Sequence, residues 1–324
     1  TLQTVYERAM QRIDIMDKTG YDAVWLAEHH FTEYSVCPSV HMMGMHLANK
    51  TQNLRIGTAV SLAAMYQPLR LAEEVALLDV LSEGRVVCGI GVGVTEDEYA
   101  ALGVPFKERG RIAAEMLDAM KALWTQDVPA HRGKYYAFEG LRFEPKPFTK
   151  PHPPIWVGGH SRPALRRGAH HADGWHPVGS TAASPLPPEE VAEKRDQIHA
   201  MAEAHGRDPL GIEIAYKAPI YDGGRPPEGE TRRFFSGGAD EIAEDIHTHQ
   251  GRPGARIDSA WRMRLAAEAA DSDEEENGGG NVMKDVVRLV LKNTRGLAHV
   301  EALLYETWTV KASAPPIVAA RGGL

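Results

Sequence analysis

Residues 24–31 read VWLAEHHF, four apolar residues running into a carboxylate and two adjacent imidazoles. The apolar run predicts a strand buried on both faces, as parallel α/β sheets require. Glu28, His29 and His30 then fall at its carboxyl end, where α/β barrels assemble their sites. Outward from this stretch, short β-branched runs at 22–27, 55–62, 85–91, 154–158, 173–178 and 212–220 predict strands. Longer amphipathic segments at 1–19, 38–50, 68–82, 109–125, 161–171, 187–205 and 239–249 predict helices. Leu71, Val75, Leu78 and Leu81 illustrate the helical spacing that lays one face on a sheet. Strands alternating with helices predict a TIM (β/α)8-type barrel, with a doubly wound sheet as the rival. The rival needs a G-x-G-x-x-G turn after the first strand. None is present, and Gly89-Ile90-Gly91-Val92-Gly93 lacks the third glycine at that spacing.

The chain has 324 residues, long enough for one large core. A net charge of −8 offers no broad cationic surface, which argues against nucleic acid as the main partner. Cysteine occurs only at positions 37 and 88, no secretory leader is visible, and no apolar run reaches the roughly 18 residues of a membrane span. The expectation is a soluble, cytoplasmic protein.

At the strand ends, a histidine can exchange protons near neutrality and a neighbouring carboxylate can fix its tautomer. The alternative is one packed and one solvated histidine. A shared metal is disfavoured, because neighbours on a strand point to opposite faces and His41, His46, His170, His171 and His176 show no convergent spacing. Small residues at Gly57-Thr58-Ala59-Val60-Ser61 and glycines at 89, 91 and 93 allow a ligand close to the backbone. Val157-Gly158-Gly159-His160-Ser161-Arg162 runs from strand through a glycine turn into a helix. Free N–H groups there suit phosphate, with Arg162, Arg166 or Arg167 adding charge, although an ordinary helix cap has the same look.

Residues 128–153, rich in proline, aromatic and basic residues, read as an insertion. The chain divides into 1–250 and an atypical segment 251–324, with an acidic, glycine-rich linker at 271–281 and a helix or short strand within 282–310.

Taken together, VWLAEHHFTEYS, LRIGTAVSL, QPLRLAEEVALLDVLSEGRVVCGIGVGVTEDEYAALGVPFKERGR and PPIWVGGHSRPALRRGAHHADGWHP resemble the bacterial luciferase-like flavin monooxygenases, in order, over about residues 1–250. The resemblance implies a TIM barrel that binds FMN, or in a sister branch the deazaflavin F420, with the ring in the barrel mouth. It assigns a catalytic role to His29, supported by His30 and Glu28. It places a non-proline cis peptide between Ala59 and Val60 beneath the ring, the phosphate at Val157, Gly158, Gly159, His160 and Ser161, and Trp175 near the cofactor. Gly91 and Val92 stand where luciferase has a reactive cysteine and a phosphate-contacting arginine, so light emission is not implied. The family's first strand would precede Thr1, so the barrel is expected to lack it and to end atypically.

The function expected on this basis is oxidation of a small organic substrate by reduced FMN and O2, with a separate flavin reductase, no metal and a possible dimer. The alternatives are an F420-dependent hydride-transferring oxidoreductase and a flavin-binding homologue without turnover.

Overall fold

A computed structural model describes residues 1–219 apart from 20, 33–35, 180 and 182, together with residues 232, 234, 241, 244, 245 and 248 and the strands 263–268 and 300–304. The elements follow in the order α1 (Leu2–Thr19), β1 (Ala23–Leu26), α2 (Val40–Lys50), β2 (Arg55–Thr58), β3 (Ser61–Leu62), α3 (Pro68–Leu81), β4 (Val86–Gly91), α4 (Glu96–Ala101), α5 (Arg109–Thr125), β5 (His131–Arg132) and β6 (Ala137–Phe138). Then come β7 (Ile155–Gly158), α6 (Arg162–His171), β8 (Gly174–His176), α7 (Pro188–Ala204), β9 (Glu213–Pro219), β10 (Met263–Glu268) and β11 (Val300–Leu304).

Parallel pairings run β1–β2–β4–β7–β8–β9–β10–β11 and return from β11 to β1, so the strands form a closed ring. This is the expected α/β barrel. On the side of β1 away from β2 the partner is β11, with Ala23 opposite Glu301 and Leu26 opposite Leu304. A strand of the C-terminal segment thus takes the place expected of one before Thr1. The helix expected over 239–249 lies largely outside the described residues, and the linker at 271–281 and residues 282–299 lie wholly outside them.

Strand alternation divides the core in two. Val86, Cys88, Ile90, Ile155 and Val157 face outward onto Leu71, Val75 and Leu78 of α3 and Met116, Leu117 and Met120 of α5. Ala23, Trp25, Val87, Trp156 and Ala215 face the lumen. There the indoles of Trp25 and Trp156 meet with centroids 4.9 Å apart, a filled layer that makes the barrel a core and not a pore.

Two features depart from the sequence expectation. The strand expected over 55–62 is interrupted, because the Ala59–Val60 peptide is cis and breaks the ladder between β2 and β3. The insertion at 128–153 is ordered by a hairpin, β5 against β6, docked on α5 by Glu115, whose carboxylate accepts the backbone N–H groups of Lys134, Tyr135 and Tyr136. No alternation marks so short a hairpin.

At Gly57 a Cβ would overlap the Trp25 ring, which Trp156 and His176 hold from its other contacts. Gly57→Ala is therefore expected to destabilise the fold by about 1–3 kcal/mol, the usual cost of overpacking, seen as a lowered midpoint in thermal unfolding.

Candidate active site

Beyond Leu26 the chain leaves the strand, and the next residues tie the barrel mouth together. Glu28 is buried, and its two oxygens do different work. Oε1 lies 2.7 Å from His30 Nε2, while Oε2 accepts the Leu62 N–H at 3.0 Å. The carboxylate also faces the Tyr66 phenol, whose pKa is pushed up by burial and by that negative charge. His41 Nε2 lies 3.1 Å from Ser61 Oγ, so residues 61 and 62, which follow the cis peptide, are held by two separate side chains.

Glu98 on α4 reaches back to the two histidines. Its Oε1 accepts the His30 backbone N–H at 2.9 Å and lies 3.9 Å from His29 Nδ1. The two rings therefore face different acids, His30 towards Glu28 and His29 towards Glu98. Burial pushes the His29 pKa below its ordinary value against the pull of Glu98. The hydrogen bond from Glu28 raises that of His30. Both thiols are pushed up by burial, Cys37 to about 11 and Cys88 to about 12, so neither is a thiolate near neutrality. Among the described residues no three His, Cys, Asp or Glu side chains converge as a metal site.

The cis peptide forms a floor beside these groups. The Val60 side chain lies against Gly91 and Gly158, and a Cβ on either glycine would crowd it. The lack of a side chain at Gly91 is thus what leaves room for Val60.

The glycine turn lies at the end of β7. Gly159 has φ +87°, a conformation that glycine adopts without strain, and Trp175 donates its Nε1–H to the Gly159 carbonyl at 2.8 Å. Trp175 is fully enclosed and braces the turn. Val157 faces the outer core, which leaves the turn to Gly158, Gly159, His160 and Ser161. Ser161 is the N-cap of α6, and its side chain makes no capping bond. Ser161 and Val92 line a cavity of 990 Å³ whose other walls carry Lys107, Arg109, Arg111, Arg162, Arg166 and Arg167. Arg167 is buried, and its Nε has no hydrogen-bond partner among the described residues.

A profile of luciferase-like monooxygenases matches residues 1–283. The chain belongs to the luciferase-like monooxygenase family. It is 34% identical over 159 residues to the oxygenase component of a flavin-dependent trigonelline monooxygenase of Acinetobacter baylyi, covering 48% of this chain and 44% of that protein. It is 31% identical over 159 residues to an FMNH2-dependent dimethylsulfone monooxygenase of Pseudomonas putida, covering 48% and 42%. The chain thus spans less than half the length of these curated relatives in alignment. Its fold is similar to that of an F420-dependent secondary alcohol dehydrogenase, with TM-score 0.67 and 18% identity over 88% of this chain and 94% of that one. It is also similar to the monooxygenase RslO1 of Streptomyces bottropensis, with TM-score 0.63 and 20% identity over 94% and 88%.

Sequence reasoning did not single out Glu98, Lys107, Arg109 or Arg111. Glu98 sits in TEDEYAALG, which reads as an acidic helix start, and the arginines in KERGR read as a solvated face. Only their convergence on the mouth and the cavity marks them.

Because Glu28 raises the folded pKa of His30, their bond stabilises the fold fully below the unfolded value of about 6.5. Its contribution fades as pH rises through the folded value. In a nitrogen-detected NMR titration, His30 should titrate above His29, and Glu28→Gln should move the His30 midpoint down towards the ordinary value.

Proposed function

We propose that the protein is the oxygenating component of a two-component flavin monooxygenase, taking reduced FMN from a separate reductase and oxidising a small organic substrate with O2. The observation that carries this reading is the cationic cavity at Ser161 and Val92, which lies at the same carboxyl ends of the strands as the acid-bound histidines and the Ala59–Val60 cis peptide. These groups suit the phosphate, the reacting edge and the ring of one mononucleotide. The orphaned Arg167 Nε and the uncapped start of α6 suit a phosphate oxygen. Gly158, Gly159 and Ser161 would hold that group with Arg109, Arg111 and Arg167. FMN, when bound and reduced, supplies the electrons that activate O2.

The chain's own residues bind, orient and handle protons. Glu28 fixes the floor through Leu62 and orients His30. Glu98 faces His29 and anchors the His30 backbone. Burial favours the neutral form of His29, in which one ring nitrogen can accept a proton at the mouth and return it. The trigonelline and dimethylsulfone relatives support the reaction class, and the substrate is a separate matter.

The cavity also favours a second reading. Six cationic side chains exceed what one phosphate requires, and the deazaflavin F420 carries a longer anionic tail. That reading predicts hydride transfer without O2.

With a working reductase and isotopically labelled O2, the first reading predicts one labelled oxygen atom in the product. His29→Asn is expected to lower product formation by about 10²–10⁴-fold while FMN binding and oxygen uptake persist. Substrate oxidation with F420 under anaerobic conditions, and no label transfer, would replace it with the second.

A further inference from the structure

The cavity that begins at Ser161 runs on past the room one phosphate needs. The start of α5, one face of α6 and the last turn of α7 wall it. Arg162, Arg166 and His170 stand at every fourth position of α6, a single stripe that at 1.5 Å per residue extends about 12 Å away from the glycine turn. The phosphate of a mononucleotide, met by Ser161, Arg109, Arg111 and Arg167, occupies only the near end of this stripe.

Arg162 and Arg166 are left over. Both are exposed, neither has a hydrogen-bond or ion-pair partner among the described residues, and no carboxylate lines the cavity. Like charges one helical turn apart disfavour the helix, and an anion between them reverses the sign. Beneath them Arg167 is 6% exposed with its Nε unpartnered, so the wall is built into the fold and is not a solvated face alone.

The far end has a different chemistry. His170 stacks on His205, which closes α7, with ring centroids 3.9 Å apart and planes 2° from parallel. Burial and the neighbouring His205, His171, Arg166 and Arg207 push the His170 pKa down, which favours its uncharged ring. Met201 and Ala204 continue this wall, and α7 contributes no lysine or arginine to it. Flat rings beside a thioether suit a heterocyclic base better than a further anion. Along the cavity, then, a phosphate site leads to a second cationic station and on to a flat ledge. That is the order of groups in the adenosine diphosphate end of a flavin dinucleotide.

We infer that this cavity takes the adenosine diphosphate end of FAD: beyond the phosphate shared with FMN, the second phosphate pairs with Arg162 and Arg166, and the adenine lies against the His170–His205 pair and Met201. This preference rests on a flavin ring occupying the mouth, as proposed above, and it adds which flavin the chain holds more tightly.

Calorimetric titration of the full chain with oxidised FMN and oxidised FAD, at one salt concentration, should show FAD binding at least about tenfold tighter. Replacing both exposed arginines, Arg162→Gln with Arg166→Gln, should bring FAD down to the affinity of FMN while FMN changes by less than about threefold. If that double variant does not melt cooperatively, His205→Ala takes its place, and it should weaken FAD by at least about threefold and leave FMN unchanged. FAD binding no tighter than FMN, FAD excluded where FMN binds, or equal weakening of both flavins by the variants would each overturn the adenylate site while the flavin reading stands. Failure of either flavin to bind at all would overturn both.

Discussion

A carboxylate taken out of water must be met on its oxygens by donors, or it costs several kcal/mol and takes up a proton. Glu28 meets that requirement by joining two parts of the chain: His30 beyond β1 and the Leu62 N–H beyond the cis peptide. The histidine pair and the floor are therefore positioned by one group. Glu98 repeats the device from α4, accepting the His30 N–H while facing His29. The two acids divide the adjacent imidazoles, so the charged form is favoured at His30 and disfavoured by burial at His29. Acid and base character at neighbouring positions follows from that division.

The barrel sets the acid-bound histidines apart from the cations. The histidines and the cis peptide sit at the ends of β1 and β2, whereas the cations gather where α5 and α6 approach the end of β7. Trp175 bracing the Gly159 carbonyl connects the second region to the sheet. The lumen is filled by Trp25 and Trp156, which require Gly57 and Gly174 opposite them.

Much of this was legible before any coordinates. The strand at 22–27, the helix at 109–125 and the cis position at Ala59–Val60 follow from apolar runs, spacing and the family resemblance, because each is encoded locally. The break at residue 59 within an apparently continuous strand and the hairpin at 131–138 were not, since each depends on a partner distant in sequence. A short strand within 282–310 was expected, and its place beside β1 was not. The same division holds in the site. EHH and the glycine turn announce themselves as strand-end motifs. Glu98 and Lys217 look like solvated charges in one dimension, and the barrel buries both.

The central claim is that floor and cavity together hold a flavin mononucleotide by both of its ends. Equilibrium titration of the protein with FMN and with riboflavin, which has the same ring and no phosphate, tests this most directly. The account predicts saturable binding of FMN and at least about tenfold weaker binding of riboflavin, with added inorganic phosphate weakening FMN alone. Equal affinity for the two, or no binding of FMN, would contradict it.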